Sequence, residues 1–156
     1  MILLKNYFVN TTSDVDVMAI IHEVDQTIKE SGASEGIVNF AAPEAGGALA
    51  LIEMLPDIVE QFKEALRIFP GEGVRTKDRR KEEIDIGPRI AAAMLGKTMQ
   101  IPLSKGKLVL GVREEPVLID LEKAGKRREF YVQVVGEPAE GAQAAGQTAP
   151  AQRQQR

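Results

Sequence analysis

Few residues in this chain have side chains that could do chemistry, and their types narrow the chemistry quickly. There is no cysteine and one histidine, His22. Thiolate zinc sites, disulfides and cysteine nucleophiles are excluded, and so is a multi-histidine metal site within one chain. A carboxylate site for Mg²⁺ or Ca²⁺ stays compatible with this composition. His22 falls beside the apolar face of a helix pattern and reads as a partly exposed flank residue. Glu44 is the carboxylate at the centre of a loop of small residues, Ala41-Ala42-Pro43-Glu44-Ala45-Gly46-Gly47. Gly46-Gly47 permits backbone conformations closed to other residues. Such a loop either brings a ligand against the backbone or makes a tight crossing between strands. A second charged stretch, 71–83, sets Arg75, Lys77, Arg79, Arg80 and Lys81 against Glu72, Asp78, Glu82 and Glu83. Its signs nearly cancel, which describes an irregular solvated loop. The alternative is that Arg79-Arg80-Lys81 folds over an anion such as phosphate. Neither Gly-Lys-Ser/Thr nor GxGxxG occurs at these loops, so no Walker or dinucleotide fingerprint is present.

The elements that must position these residues follow from hydrophobic period and punctuation. Ile2 to Val9 predicts a strand. Ser13 is placed to cap a helix, with Asp16 three residues on. Val17, Ile21, Val24 and Ile28 give that helix one apolar face, and Gly32 stops it. Gly36 to Phe40 and Ala48 to Met54 predict strands, the second ending at Glu53. Pro56 opens a second helix carrying Leu55, Val59, Phe62, Leu66 and Phe69, which Pro70-Gly71 stops. Asp85 caps a short third helix with Pro88 near its start and Gly96 as its stop. The stretch Met99 to Gly136 then predicts an antiparallel meander, with turns at Ser104–Gly106 and Glu122–Lys126.

Composition bounds the rest. At 156 residues one domain is expected. Hydrophobic residues at 44% can build a core, and aromatics at 4% with no Trp make it aliphatic. A net charge of −3 argues against nucleic acid as a partner, since that binding needs a basic field. No apolar run approaches the length that spans a bilayer, no signal peptide opens the chain, and a cytoplasmic protein without membrane contact is the default. From residue 138 to 156 the chain turns Ala/Gly/Gln-rich and lacks large apolar side chains, so a disordered tail is expected after a domain of residues 1–137.

The order of elements resembles the YjbQ-like family, some members of which are named secondary thiamine-phosphate synthases. The matching residues are Ala48-Leu49 with Glu53, then Met94-Leu95-Gly96. They continue with Ile101-Pro102 through Gly106-Lys107-Leu108-Val109-Leu110-Gly111, and with Arg127-Arg128 and Val132 to Glu137. The resemblance implies an α+β fold, a strongly curved and mostly antiparallel sheet with three helices packed on it, assembled as a homotrimer.

Family members typically carry His-Thr-Thr-Ala before the Ala-Leu strand and Asn-Glu at its end. They also carry an Asn and a His in the helix before Leu-Gly, and Thr-Trp-Gln in the meander. The histidines are taken as metal ligands or acid/base groups. Here Glu44 stands at the first His, Ile52 at the Asn before Glu53, Asp85 and Arg89 at the helix Asn and His, and Arg113-Glu114 at Trp-Gln. Arginine is always charged and does not ligate metals, so the histidine/metal site is expected to be lost. The implied function is a trimeric structural or small anionic-ligand-binding protein. In that reading Arg89 and Arg113 bind the anion, Glu114 and Asp85 line the pocket, and no metal or other cofactor is required. The alternative is a weak thiamine-phosphate synthase or phosphate-ester enzyme with Glu53 or Glu44 as general base. Glu44, Glu53, Arg89, Arg113 and Glu114 are expected to form one ion-pair cluster.

Overall fold

The computed structural model describes residues 1–12, 14–69, 74–122 and 125–141. Ser13, Pro70-Gly71 and most of the expected tail lie outside the described residues. The elements are β1 (Ile2–Asn10), β2 (Asp16–Ala19), α1 (Ile21–Ser31), β3 (Glu35–Ala41), β4 (Gly47–Glu53), α2 (Pro56–Ile68) and β5 (Arg75–Lys77). They continue with β6 (Glu83–Asp85), α3 (Gly87–Leu95), β7 (Thr98–Ser104), β8 (Lys107–Leu108), β9 (Glu114–Asp120) and β10 (Arg127–Glu137).

Strands alternate their side chains between two faces, and that parity builds the layers. A five-stranded sheet runs β1-β10-β3-β7-β8 and a three-stranded sheet runs β2-β9-β4, every pairing antiparallel. The class is α+β with three helices and a strongly curled half-barrel sheet, as the resemblance implied. Val38, Phe40, Ile101, Leu103, Phe130, Val132 and Val134 turn inward from the larger sheet. They pack on Ile20, Val24 and Ile28 of the α1 segment and on Leu49 and Leu118 of the smaller sheet. The smaller sheet's other face carries Ala48, Ile52, Val117 and Ile119. These are covered by Leu66 of α2 and by Ala91 and Ala92 of α3, whose small side chains bring that helix close to the strands. β9 is therefore buried on both faces, which explains its unbroken apolar run Val117-Leu118-Ile119. Among the described residues, no helix packs on the outward face of the larger sheet.

Three expectations are corrected. Asp16 to Ala19 is a strand rather than the first turn of α1. Val17 pairs with Ile119, and the Asp16 carboxylate accepts from the Thr12 N–H and hydroxyl instead of capping a helix. The helical period was real, but it starts only at Ile21, and a strand whose Val17 and Ala19 face one way fits the same first spacing. Within the charged stretch, β5 and β6 form a two-stranded hairpin. Its tip is held by the Asp78 carboxylate, which accepts from the Arg80 and Glu82 N–H groups. The stretch Met99 to Gly136 is not one meander: only β7 and β8 form a hairpin there. β9 belongs to the smaller sheet, and β10 lies between β1 and β3. The β7–β8 turn is Lys105-Gly106 with φ of 53° and 73°, the left-handed pair that a two-residue hairpin demands.

Other local expectations stand. Gly32 ends α1 with φ 68°, Pro56 opens α2, and His22 is exposed on the α1 flank. The cap expected of Asp85 is corrected: Ile86 holds the cap position of α3 without a side-chain cap bond, and Asp85, one residue earlier at the end of β6, accepts from the Gly87 N–H at 2.9 Å.

Candidate functional site

The charges of this chain converge where the larger sheet crosses to the smaller. β10 places Arg128 on the same inward parity as Phe130, Val132 and Val134, so a guanidinium enters the core; Arg128 is 1% exposed. Asp120, on the Leu118 parity of β9, meets it from the other sheet and is fully buried. Arg128 Nη2 donates to Asp120 Oδ1 at 2.5 Å, and Nη1 donates to the Ala45 carbonyl at 2.6 Å. The other Asp120 oxygen accepts from the Thr11 hydroxyl at 2.7 Å, and the Glu122 N–H donates to Oδ1 at 3.0 Å. Burial pushes the Asp120 carboxyl up. The hydrogen bonds from Arg128, Thr11 and the Glu122 N–H outweigh it and hold the group below its ordinary value. Arg128 Nε has no partner among the described residues.

The loop 42–46 wraps this pair. The Gly47 N–H donates to the Glu44 carbonyl at 3.2 Å, closing a turn in which Gly46 has φ 76°. A Cβ on Gly46 would lie 2.6 Å from Glu122 Cγ. The two glycines thus serve a tight crossing between sheets. Glu44 Oε1 accepts from the Glu129 N–H at 2.6 Å, and Oε2 lies 3.7 Å from Lys126 Nζ. Lys97 Nζ donates to the Glu44 carbonyl at 2.5 Å. Partial burial lowers the Lys97 ammonium's pKa, and the nearby charges of Arg128 and Lys126 lower it further, against the opposing pull of Glu44.

The other sequence-derived candidates lie elsewhere. β4 and β9 pair from Gly47↔Asp120 at one end to Glu53↔Glu114 at the other. Six strand steps separate those ends by roughly 20 Å, so Glu44 and Glu53 do not share one cluster. Glu53 is exposed at the far end of β4. Arg113, exposed with φ 58°, gives its carbonyl to the Met54 N–H at 2.9 Å. Glu114 Oε1 accepts from the Gly111 N–H at 3.3 Å. Arg89 is exposed on α3, and Asp85 serves the start of that helix. Neither Arg89 nor Arg113 has a carboxylate within ion-pair distance among the described residues.

Sequence reasoning noted Arg128 only as part of an Arg-Arg pair and passed over Asp120. The available signal was parity: Arg128 continues the Phe130-Val132-Val134 alternation, and Asp120 interrupts an apolar run. The donor set does not fit the transition metal implied by the family's histidines. His22 is exposed on α1. Among the described residues, no three His, Cys, Asp or Glu side chains come together in an arrangement that could hold an ion.

Two antiparallel sheets, one strongly curled, with α1 in the inter-sheet core and two further helices outside, define an α+β domain tied by a buried ion pair. The chain belongs to the YjbQ-like family, UPF0047, whose model matches residues 5–137. No curated protein sequence matches it. Solved structures share the fold. A YbjQ-like protein of unknown function from Sulfolobus solfataricus P2 is 22% identical, with 88% of this chain and 99% of that one covered and a TM-score of 0.78. A hypothetical protein from Aeropyrum pernix K1 is 20% identical, covering 86% and 99%, with a TM-score of 0.75. An uncharacterised conserved protein of the same family from Clostridium acetobutylicum is 23% identical, covering 84% and 99%, with a TM-score of 0.73. No helix among the described residues is long and apolar enough to cross a membrane.

Proposed function

We propose that this chain is a self-assembling member of its family without the histidine/metal chemistry, a structural protein built as a homotrimer. The observation that supports it is the state of Glu44, which stands where the family's first histidine is expected. Its carboxylate accepts from the Glu129 N–H, lies beside Lys126, and borders the Arg128–Asp120 pair. A carboxylate placed in this way ties the loop to β10, which is a structural role. Self-assembly draws support from one outward row of the larger sheet, where Ile2, Val135 and Ile37 lie side by side and are exposed.

The test has two arms. Light scattering on the purified full chain should give three times the monomer mass. Assays for thiamine-phosphate formation and phosphate-ester hydrolysis should give equal, background rates for wild type, Glu53→Gln and Arg89→Ala. A rate above background that falls in either variant would establish the enzyme reading instead. Arg89 and Arg113, exposed and without an ion-pair partner among the described residues, leave room for a small-anion reading. It is supported if phosphate raises the melting temperature of wild type but not of Arg89→Ala or Arg113→Ala.

A further inference from the structure

We infer that copies of this chain join head to tail through strand edges: the open edge of β1 pairs antiparallel with the open edge of β7 in the next copy. The inference rests on the self-assembly proposed above and supplies its joint.

β1 is nine residues long and has a strand neighbour, β10, on one side only. At its start Met1 and Gly136 exchange two bonds, the Met1 ammonium donating at 2.8 Å and the Gly136 N–H at 3.1 Å. Just past its end the Thr11 N–H donates to the Lys126 carbonyl at 2.8 Å. The register between them is unbroken, from Ile2↔Val135 to Asn10↔Arg127. Bonded and non-bonded pairs alternate in an antiparallel ladder, so the odd-numbered residues bond β10. Ile2, Leu4, Asn6, Phe8 and Asn10 therefore turn their N–H and C=O groups to the open edge, where no described residue pairs with them. Proteins that keep an edge apart from other chains blunt it with proline, a bulge or a charge. β1 has neither proline nor bulge. Its one charged residue, Lys5, is ion-paired to Glu30 of α1. Beside the open groups, Ile2, Leu4 and Phe8 are 69%, 55% and 48% exposed.

The far side of the same sheet offers the matching edge. The Ala42 N–H donates to the Lys97 carbonyl at 2.8 Å. By the same alternation Met99 and Ile101 bond β3, while Thr98 and Gln100 face away from it. β8 is two residues long and covers Leu103 and Ser104, with the Val109 N–H on the Pro102 carbonyl. Among the described residues, Thr98 and Gln100 have no strand partner on that side. Two conditions decide whether this sheet can continue into a copy of itself. Direction alternates over β1, β10, β3 and β7, so β7 and the next copy's β1 run antiparallel. Bonded pairs share a face, and the edge-facing residues of both strands carry their side chains outward, Leu4, Gln133, Asn39 and Gln100 forming one row. Four strands satisfy both conditions, and a full-length β8 would break both. The apolar row Ile2, Val135, Ile37 and Pro102 then runs from joint to joint. Because two different edges meet, the contact is heterologous and can close into a ring. A threefold assembly needs such a contact, whereas β1 against β1 gives a two-fold pair.

The experiment follows residue-resolved amide hydrogen exchange and light scattering on the full chain, with Leu4→Pro and Gln100→Pro. Each proline removes an N–H that faces an open edge and leaves the intrachain ladder bonds in place. In the wild-type assembly the amides of Leu4, Asn6 and Phe8 should exchange as slowly as those of Leu3, Lys5 and Tyr7. Each variant should melt cooperatively as a monomer. Mixed together they should form a species of twice the monomer mass, because Leu4→Pro keeps the β7 edge and Gln100→Pro keeps the β1 edge. Fast exchange at Leu4, Asn6 and Phe8 in assembled wild type overturns the joint without recourse to any variant. So does a folded variant that stays trimeric, a Gln100→Pro that still pairs with itself, or two folded monomers that do not combine. A monomeric wild type instead removes the self-assembly reading on which the joint stands.

Discussion

Burying a guanidinium and a carboxylate takes two charges out of water, and the surroundings of Arg128 and Asp120 compensate that cost with hydrogen bonds. Thr11, the Glu122 N–H and the Ala45 carbonyl complete the pair. Removing one partner leaves the other charge buried and uncompensated, which typically costs about 3–5 kcal/mol. Arg128→Met should therefore lower unfolding stability by about that amount in urea melts. Arg128→Met/Asp120→Leu should recover most of the loss, since an apolar pair of similar volume is often neutral. The pH dependence has a definite sign. The folded Asp120 pKa lies below the unfolded value of about 3.9, so its contribution is fully present above that value. It is lost as pH falls through the lower folded value. Acid titration of Asp120→Asn should show a shallower loss of stability below about pH 4 than wild type; parallel curves would remove Asp120 from the acid response. None of this was legible from residue type alone. A charged residue beside Arg127, Glu129 and Lys126 looks solvated until the strand parity is extended one position outward from Phe130.

Individual elements were read well where their signals are local. Gly32, Pro56 and the Lys105-Gly106 turn declare themselves by backbone chemistry, and each does what its residue type demands. Which strand joins which sheet is decided by contacts distant in sequence. β9 and β10 are neighbours in the chain, yet they lie in different sheets because Val117-Leu118-Ile119 needs cover on both faces. Arg127 to Glu137 alternates cleanly and has one inward face only. β3 and β10 approach closely at a pair of glycines. Gly36 lies opposite Gly136 with φ 152°, and a Cβ there would sit 2.1 Å from the Val135 carbonyl oxygen. No rotamer relieves a clash with backbone, so Gly36→Ala must part the two strands near the apolar row. The loss should fall at the upper end of the roughly 0.5–3 kcal/mol range of single substitutions. Gly32→Ala, with open space around its Cβ, should cost less despite its positive φ. Equal losses in chemical denaturation would show that the β3–β10 approach carries no special constraint.

For the whole molecule, the family's order of elements carried the α+β class and the curled sheet into view. Composition showed only that the core would be aliphatic. The candidate site was less legible, because Glu44 and Glu53 close opposite ends of one strand and sequence distance does not report that length. The uncovered sheet face was likewise hidden, since Ile2, Leu4 and Ile37 look like core residues until the helices are seen packed elsewhere. That face leads to a prediction about stability rather than shape. If copies associate through it, the folded state is bound to its own kind and the unfolded chain is not, so stability follows mass action. The melting temperature of wild type should rise steadily with protein concentration over a hundredfold range. Ile37→Asp places a carboxylate in the apolar row without touching the inward core built on Val38 and Phe40. Its melting temperature should be lower and independent of concentration, meeting the wild-type curve only at high dilution. A wild-type melting temperature that stays constant across that range would place the folding of this chain wholly within one copy and leave the outward apolar row without an energetic role.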